Sequence, residues 1–300
     1  MHYFMLGLVI SGGGAFGALG AGTLAALNKP YQLIAGVSTG ALMAPLVALQ
    51  NFTLLKDAYT SVSQEDIFNV NPFTRNGKIH ILNAVWRVVR GKATLGETEN
   101  LKKTVRKFLA EADYRQLQNS EKEVVVACQD ISRLPSKVHY FSTRQTGYTD
   151  FLDWLWAAAN APVVCSLLYK NGGEWLDAGL TELLSLQYLI KRGCKEIDVI
   201  VHRTQRVTEQ KEPAKNLFNL ILRLFEIQRE ALESDDLASG LLSAEIASSK
   251  INVYYMPKDL GSNALIFDKT KMLEWYDLGF NTAFDESRIL QFDFTRPPTV

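Results

Sequence analysis

The chain has 300 residues, 47% of them hydrophobic, with 32 basic and 32 acidic side chains. That length and apolar share suit one large α/β domain with an ample core, or at most two smaller ones, with one domain favoured, and the balanced charge speaks against a nucleic-acid footprint or an acidic tail. Cys128, Cys165 and Cys194 are widely spaced without a C-x-x-C pair, which argues against a disulfide framework or cysteine-rich metal site and for buried free thiols.

In chain order, Leu6 to Ile10 reads as a buried strand. The stretch from Met1 to Ile10 lacks a basic leader and is too short to span a bilayer, so a strand is expected there rather than a signal peptide. It runs into Gly12-Gly13-Gly14-Ala15-Phe16-Gly17, after which Ala18 to Leu27 reads as a helix. The pattern then repeats: a short strand at Leu33 to Ala35, the turn Gly36-Val37-Ser38-Thr39-Gly40, and a helix from Ala41 to Ala48 expected to continue toward Tyr59. A serine in G-x-S-x-G needs this strand-to-helix setting. The sharp bend exposes its oxygen, and the glycines remove side chains that would collide with the bend or a substrate. The same turn aims the first backbone N–H groups of the helix at the reacting centre.

Beyond it, the polar stretch Ser61 to Lys78, with Asn71-Pro72 and Asn76-Gly77, reads as a loop. Helices follow at Ile79 to Arg90 and at about Asn100 to Ala112. The first has Ile79, Leu82, Val85, Trp86 and Val89 on one face and Arg87, Arg90 and Lys92 near its end. Such spacing suits a core-facing helix, and it also suits a helix resting on anionic headgroups through Trp86, Arg87 and Arg90. Strands are expected at Glu123 to Cys128 and Lys137 to Ser142, then a helix from Tyr148 to Ala159 ending near Pro162, and a short strand at Glu174 to Leu176 before the turn Asp177-Ala178-Gly179. A helix through Lys191, a strand at Ile197 to His202, a helix at Asn216 to Glu233, a strand at Ile251 to Met256 and a helix at Lys271 to Phe284 complete the pattern, with an irregular tail through Arg296-Pro297-Pro298. The stripe Leu217, Leu220, Ile221, Leu224 and Phe225 is expected to pack on the sheet, with a lid as the alternative. Alternating strand and helix marks a layered α/β fold. No run approaches the ~18 to 20 apolar residues of a transmembrane helix, so a cytoplasmic protein, with at most peripheral membrane contact, is the expectation.

The two glycine turns and the distant Asp177 turn together resemble the patatin-like phospholipase family, whose members join a G-G-G-x-[KR]-G loop, a G-x-S-x-G turn and a D-G-[GA] turn. Similarity is clearest over residues 6 to 49 and 157 to 180, where Leu8-Val9-Ile10-Ser11, Ile34-Ala35 and the small-residue stretch Ala157 to Pro162 also match the family's pattern. The resemblance implies an α/β fold of three layers, α/β/α, with a mostly parallel central sheet. It implies a single domain over residues 1–300, with a motif-bearing core at about 6–205 and C-terminal elements at 216–290 packed on it. Ser38 would be the nucleophile and Asp177 its base, the backbone of Gly13 and Gly14 the oxyanion hole, and Gly12, Gly17, Gly36, Gly40 and Gly179 the motif glycines. The implied activity is that of a lipid acyl hydrolase of the phospholipase A, lysophospholipase or esterase type, acting on a lipid or acyl ester with no metal or cofactor; no motif addresses oligomeric state. Two positions depart from the pattern. Phe16 stands where the family carries Arg or Lys, and Ala178 where it prefers glycine, a change tolerated unless that residue needs a positive φ.

Other chemistries leave weaker traces. Gly12, Gly14 and Gly17 also satisfy the dinucleotide fingerprint G-x-G-x-x-G, but Ile34-Ala35-Gly36-Val37 stands where that fold places its ribose-binding acid. The histidines are His2, His80, His139 and His202, and none has ligand spacing. His202 follows Ser38 and Asp177 in the order of an α/β-hydrolase triad, yet it ends a strand expected to be buried, and too few strands precede Ser38 for that fold. There is no H-E-x-x-H and no acidic calcium loop. A retained fold serving as a non-catalytic lipid-binding module, with Phe16 as its first sign, is opposed by the intact Ser38 and Asp177.

Overall fold

A computed structural model describes residues 5–74, 76–205, 213–214, 216–261 and 263–295; His2 and the Arg296-Pro297-Pro298 tail lie outside the described residues. Among the described residues nine strands, β1 (Leu6–Ile10), β2 (Leu33–Gly36), β3 (Glu123–Asp130), β4 (Lys137–Ser142), β5 (Leu168–Lys170), β6 (Gly173–Asp177), β7 (Glu196–Ile200), β8 (Lys250–Tyr254) and β9 (Ile289–Asp293), form one sheet. Its order is β5-β6-β3-β2-β1-β7-β8-β9, with β4 off this path against β3. The centre, β3-β2-β1-β7-β8, is parallel, and β4, β5, β6 and β9 pair antiparallel at the margins.

Alternation along the central strands explains why they read as unbroken apolar runs. Leu8, Ile10, Ile34, Val124 and Val126 enter the core on one face, while Val9, Leu33, Ala35, Val125 and Val199 enter the core on the other. A parallel strand covered on both sides has no face to leave polar. The helices are α1 (Gly17–Leu27), α2 (Thr39–Ala48), α3 (Phe52–Thr60), α4 (Gln64–Ile67), α5 (Ile81–Val89), α6 (Glu99–Phe108), α7 (Glu111–Gln118), α8 (Tyr148–Ala158), α9 (Leu186–Lys191), α10 (Leu217–Ile246) and α11 (Lys269–Asn281). Residues of α1, α2, α8 and α11 cover the first face, and residues of α9 and α10 the second, giving the expected α/β/α layers. α1 and α11 cross backbone to backbone: a Cβ on Gly279 would lie 2.0 Å from the Leu19 carbonyl oxygen. The three cysteines are free and buried.

Several elements differ from the sequence reading for local reasons. The helix begun after Gly40 stops at Ala48; Gln50 takes a φ of 55°, and Asn51 starts α3 afresh by accepting the Leu54 N–H. The Ser61 to Lys78 loop contains α4, nucleated by a capping box between Ser63 and Asp66. β5, α7 and β9 are additional elements. α10 runs well past Glu233, and its docking residues, Leu237 and Leu241, lie in that extension. Consequently Leu217, Leu220 and Leu224 are not packed on the sheet as expected but are 66%, 44% and 55% exposed.

α5 overturns its expected packing as well. Ile79, just before it, is buried, but Ile81, Leu82, Val85, Trp86, Val88 and Val89 are 48% to 80% exposed. The helix is anchored instead by Ala84 and by Arg87, whose guanidinium pairs with Glu97 at 2.9 Å and donates through Nε to the Thr94 carbonyl at 2.7 Å. Arg87 therefore turns inward and is withdrawn from the headgroup-facing set. Among the described residues no helix is long and apolar enough to cross a membrane.

Candidate active site

Register alone gathers the motifs. Ile10 pairs with both Gly36 and Ile200, so the segments starting at Ser11, Val37 and Val201 leave three adjacent parallel strands side by side. The carboxyl ends of such strands are where open α/β sheets bind their ligands. Gly36 in turn pairs with Val126, and Cys128 pairs with Asp177 across the antiparallel margin. Cys128 lies as far beyond Val126 as Ser38 lies beyond Gly36, which brings Asp177 to the level of Ser38.

Ser38 has φ 56° and ψ −127°, a conformation costing an L-residue of order 1–3 kcal/mol unless its surroundings impose it. Here they do. Val37 N–H donates to the Ile10 carbonyl at 3.1 Å, Gly40 N–H to Val37 at 2.9 Å and Ala41 N–H to Ser38 at 3.0 Å. The flanking glycines are required by space, since a Cβ on Gly36 would lie 2.3 Å from the Gly40 carbonyl oxygen and one on Gly40 would lie 2.2 Å from that of Ile10.

The first glycine loop closes over this turn. A Cβ on Gly12 would stand 3.0 Å from that of Ser38, and Gly14, at φ 54°, leaves room for the Ala264 carbonyl, which accepts the Ala15 N–H at 2.7 Å. Ser11 N–H is bonded to the Ile200 carbonyl at 3.0 Å, but among the described residues no hydrogen bond engages the N–H of Gly13 or Gly14. Gly17 packs against Thr39 and Tyr59. Phe16 meets Trp275 of α11 edge-on, with ring centroids 5.4 Å apart, so this position contributes packing in place of charge.

His202 lies buried beneath the loop, where a Cβ on Gly13 would strike its side chain. Its backbone N–H donates to Ser11 Oγ at 3.1 Å, and its Nδ1 lies 3.1 Å from the Ser11 carbonyl oxygen, while Nε2 faces Gly20 with no hydrogen-bond partner among the described residues. Burial lowers its pKa to about 4, leaving the imidazole neutral near pH 7. Its polar contacts go to Ser11 rather than to Ser38 or Asp177, which is not the geometry of a triad.

Asp177, 4% exposed, ends β6. Its N–H donates to the Asn160 carbonyl at 3.2 Å, which gives the Ala157 to Pro162 stretch its role, and its carboxylate accepts the Gly179 N–H at 2.8 Å. Ala178 sits in a short 3-10 turn without a positive φ, so alanine is accommodated there. Burial raises the Asp177 pKa to about 6, against the Ser38 hydroxyl, the Gly179 N–H and the Arg229 charge, which all favour the carboxylate. Arg229 escaped the sequence reading because it lies on α10, far from any motif. α10 is fixed over the Asp177 turn by Gln228 Nε2 donating to Leu180 O at 2.9 Å and by Asp236 accepting the N–H groups of Leu183 and Leu184. Among the described residues no His, Cys, Asp and Glu side chains gather as metal ligands.

A family model described as patatin-like phospholipase matches residues 8–190, which include both glycine turns, Ser38 and Asp177. The chain belongs to the patatin-like phospholipase family, whose members are typically lipid acyl hydrolases. Among solved structures, VipD from Legionella pneumophila is similar with a TM-score of 0.51 and 12% identity, over 96% of this chain and 68% of that one, a likeness of fold. No curated protein matches the sequence.

Proposed function

We propose that this chain hydrolyses carboxylic acyl esters of lipids, with Ser38 as nucleophile, Asp177 as general base and the N–H groups of Gly13 and Gly14 as oxyanion donors. The observation that carries this reading is Ser38 held at φ 56° against a buried carboxyl whose pKa lies at about 6. Such a carboxylate is ionised at neutral pH yet basic enough to take a proton. Ser38 Oγ attacks the ester carbonyl as its proton passes to Asp177. The tetrahedral oxyanion is held by the two glycine N–H groups, each worth roughly 3–4 kcal/mol in such a site. On collapse the C–O bond breaks, Asp177 returns the proton to the departing alkoxide, and the acyl group stays on Ser38. Water then attacks the acyl-enzyme, giving its proton to Asp177, and the free fatty acid leaves as Ser38 regains its hydrogen. Gly12, Gly17, Gly36, Gly40 and Gly179 supply the space this geometry needs.

Position 16 lacks the basic residue typical of the family, and Arg229 supplies a positive charge to the Asp177 side instead. We further propose that the exposed face of α5 docks on an anionic lipid surface through Leu82, Val85, Trp86 and Val89, with Lys78, Arg90 and Lys92 at the headgroups. The segment from Lys78 to Gly96 contains no acidic residue, and the Arg90 guanidinium lies 4.8 Å from the Trp86 ring centre. The chain as a whole is proposed to act as one domain, since β7, β8 and β9 extend the sheet that carries Ser38. A second reading, non-catalytic lipid binding, is favoured by Phe16 alone. Hydrolysis of short and long acyl esters by wild type, Ser38→Ala and Asp177→Ala separates the two: activity lost in both variants supports the dyad, and no activity in any form supports binding only.

A further inference from the structure

Sheet pairing stops holding the chain where the first glycine loop begins. Ser11 N–H still donates to the Ile200 carbonyl, but among the described residues no backbone N–H is bonded to the carbonyl of Ser11 or Gly12. Both carbonyls are met instead by side chains that are themselves buried, Ser11 at 0% and His202 at 1% exposure. His202 Nδ1 lies 3.1 Å from the Ser11 carbonyl oxygen, and Ser11 Oγ, which accepts the His202 backbone N–H at 3.1 Å, donates to the Gly12 carbonyl at 3.2 Å. A carbonyl oxygen only accepts, so Nδ1 carries the hydrogen of the neutral imidazole and Nε2, facing Gly20, carries none. Gly13 rests on the same side chain, since a Cβ there would lie 2.5 Å from His202 Cβ and 2.7 Å from Cγ.

The Gly12–Gly13 peptide is trans, so its carbonyl and its N–H point to opposite sides. By holding the Gly12 carbonyl, the Ser11 hydroxyl turns the Gly13 N–H the other way. Glycines resist a peptide flip least, and this loop has three in succession. A flip would put the Gly12 carbonyl oxygen, a negative pole, where the Gly13 N–H had been, and a developing oxyanion needs the positive one. We propose that Ser11 and His202 are positioning residues that lock this peptide: His202 fixes Ser11 through its backbone N–H and Nδ1, and the Ser11 hydroxyl fixes the Gly12 carbonyl, which keeps the Gly13 N–H available to the site. The use of that N–H as an oxyanion donor rests on the hydrolase reading, whereas the orientation of the peptide does not.

Three variants test the lock. Ser11→Ala removes the hydroxyl, His202→Leu removes the ring nitrogens, and His202→Asn keeps an N–H donor near the place of Nδ1. Each is checked for a cooperative melting transition, then assayed for kcat and KM on a soluble butyryl ester, and the crystal structures of wild type and Ser11→Ala give the direction of the Gly12 carbonyl. Removing one oxyanion donor outright lowers kcat about a hundred- to a thousandfold, which bounds the effect. Ser11→Ala and His202→Leu are expected to lower kcat at least about tenfold with KM within about twofold of wild type, the mark of an interaction used only in the transition state. His202→Asn should recover most of that loss, and the Gly12 carbonyl should turn away from its wild-type direction in Ser11→Ala. An unmoved carbonyl or an unmoved kcat in folded Ser11→Ala would overturn the lock while leaving the Ser38 reading intact, and His202→Asn as impaired as His202→Leu would overturn the part given to His202. In a protein that hydrolyses no ester, a turned carbonyl in Ser11→Ala upholds the lock and defeats the hydrolase reading, and an unmoved one defeats both. Should His202→Leu not fold, Ser11→Ala and His202→Asn decide.

Discussion

The floor of the site and two exposed helical stretches, α5 and the first half of α10, are built on opposite terms. Around Ser38 and the glycine loop, backbone meets backbone at distances that admit no side chain, and nearly every neighbour is buried. On α5 and the first half of α10, large apolar side chains stand in solvent, and α5 is anchored by Ala84 and Arg87. The floor spends packing freedom to hold a strained serine and an uncomfortable carboxylate, whereas the two helical stretches keep apolar surface unburied. Geometry is fixed where the proposed chemistry takes place, and apolar surface is left free on the faces proposed to meet lipid.

The sharpest way to break this contrast is to place a methyl group in the floor. Gly40→Ala sets a Cβ 2.2 Å from the Ile10 carbonyl oxygen, with only backbone to yield. A loss of about 3 kcal/mol or more is expected, at the upper end of overpacking costs. Chemical denaturation of the variant against wild type measures it, and a change under 1 kcal/mol would show the turn to be softer than its packing implies.

The next effect concerns the cost held at Asp177. Its folded pKa of about 6 lies above the ordinary 3.8, so the protonated form is the one the fold accommodates. Its contribution to stability is fully present below pH ~3.8 and is lost as pH rises through 6, leaving a cost of up to roughly 3 kcal/mol at pH 8. Asp177→Asn should therefore be more stable than wild type at pH 8, with the advantage shrinking toward zero near pH 4, while ester hydrolysis is abolished. A variant less stable than wild type at pH 8 would mean the carboxylate is stabilising there. The same pKa predicts an acid limb near pH 6 in kcat/KM. Arg229→Gln removes a charge that favours the carboxylate, so the limb moves to higher pH and activity at pH 6 falls about two- to threefold.

What the sequence made legible follows the same division. Both glycine turns, Ser38 and Asp177 could be read because backbone crowding leaves glycine no substitute and the central strands are apolar on both faces. α5 and the α10 stripe misled because periodicity reports an apolar face but not what covers it. Leu82 and Trp86 have the spacing of core residues and stand in solvent, while Arg87, charged and by type expected outside, is 4% exposed. Arg229 and Tyr59 reach the site only through tertiary packing, which no local pattern encodes. The break at Gln50 had a local signal in Asn51, a residue suited to cap a new helix.

The smallest effect on stability, and the most diagnostic for the exposed apolar surface, belongs to α5. Replacing Leu82 and Trp86 together by serine removes apolar surface that is 79% and 49% exposed, so stability should change by no more than ~1 kcal/mol. Arg87→Ala, at the position next to Trp86, should cost about 1–3 kcal/mol because it strips the Thr94 carbonyl of its Nε donor and Glu97 of its ion-pair partner. Co-sedimentation with phosphatidylglycerol-containing vesicles should reverse that ranking. The double serine variant should lose binding and the hydrolysis of vesicle lipid while keeping its turnover of soluble short esters, and added salt should weaken wild-type binding by screening Lys78, Arg90 and Lys92. If the serine variant bound vesicles as wild type does, the exposed face of α5 would have no part in reaching lipid, and the similarly exposed leucines of α10 would be the surface to test in its place.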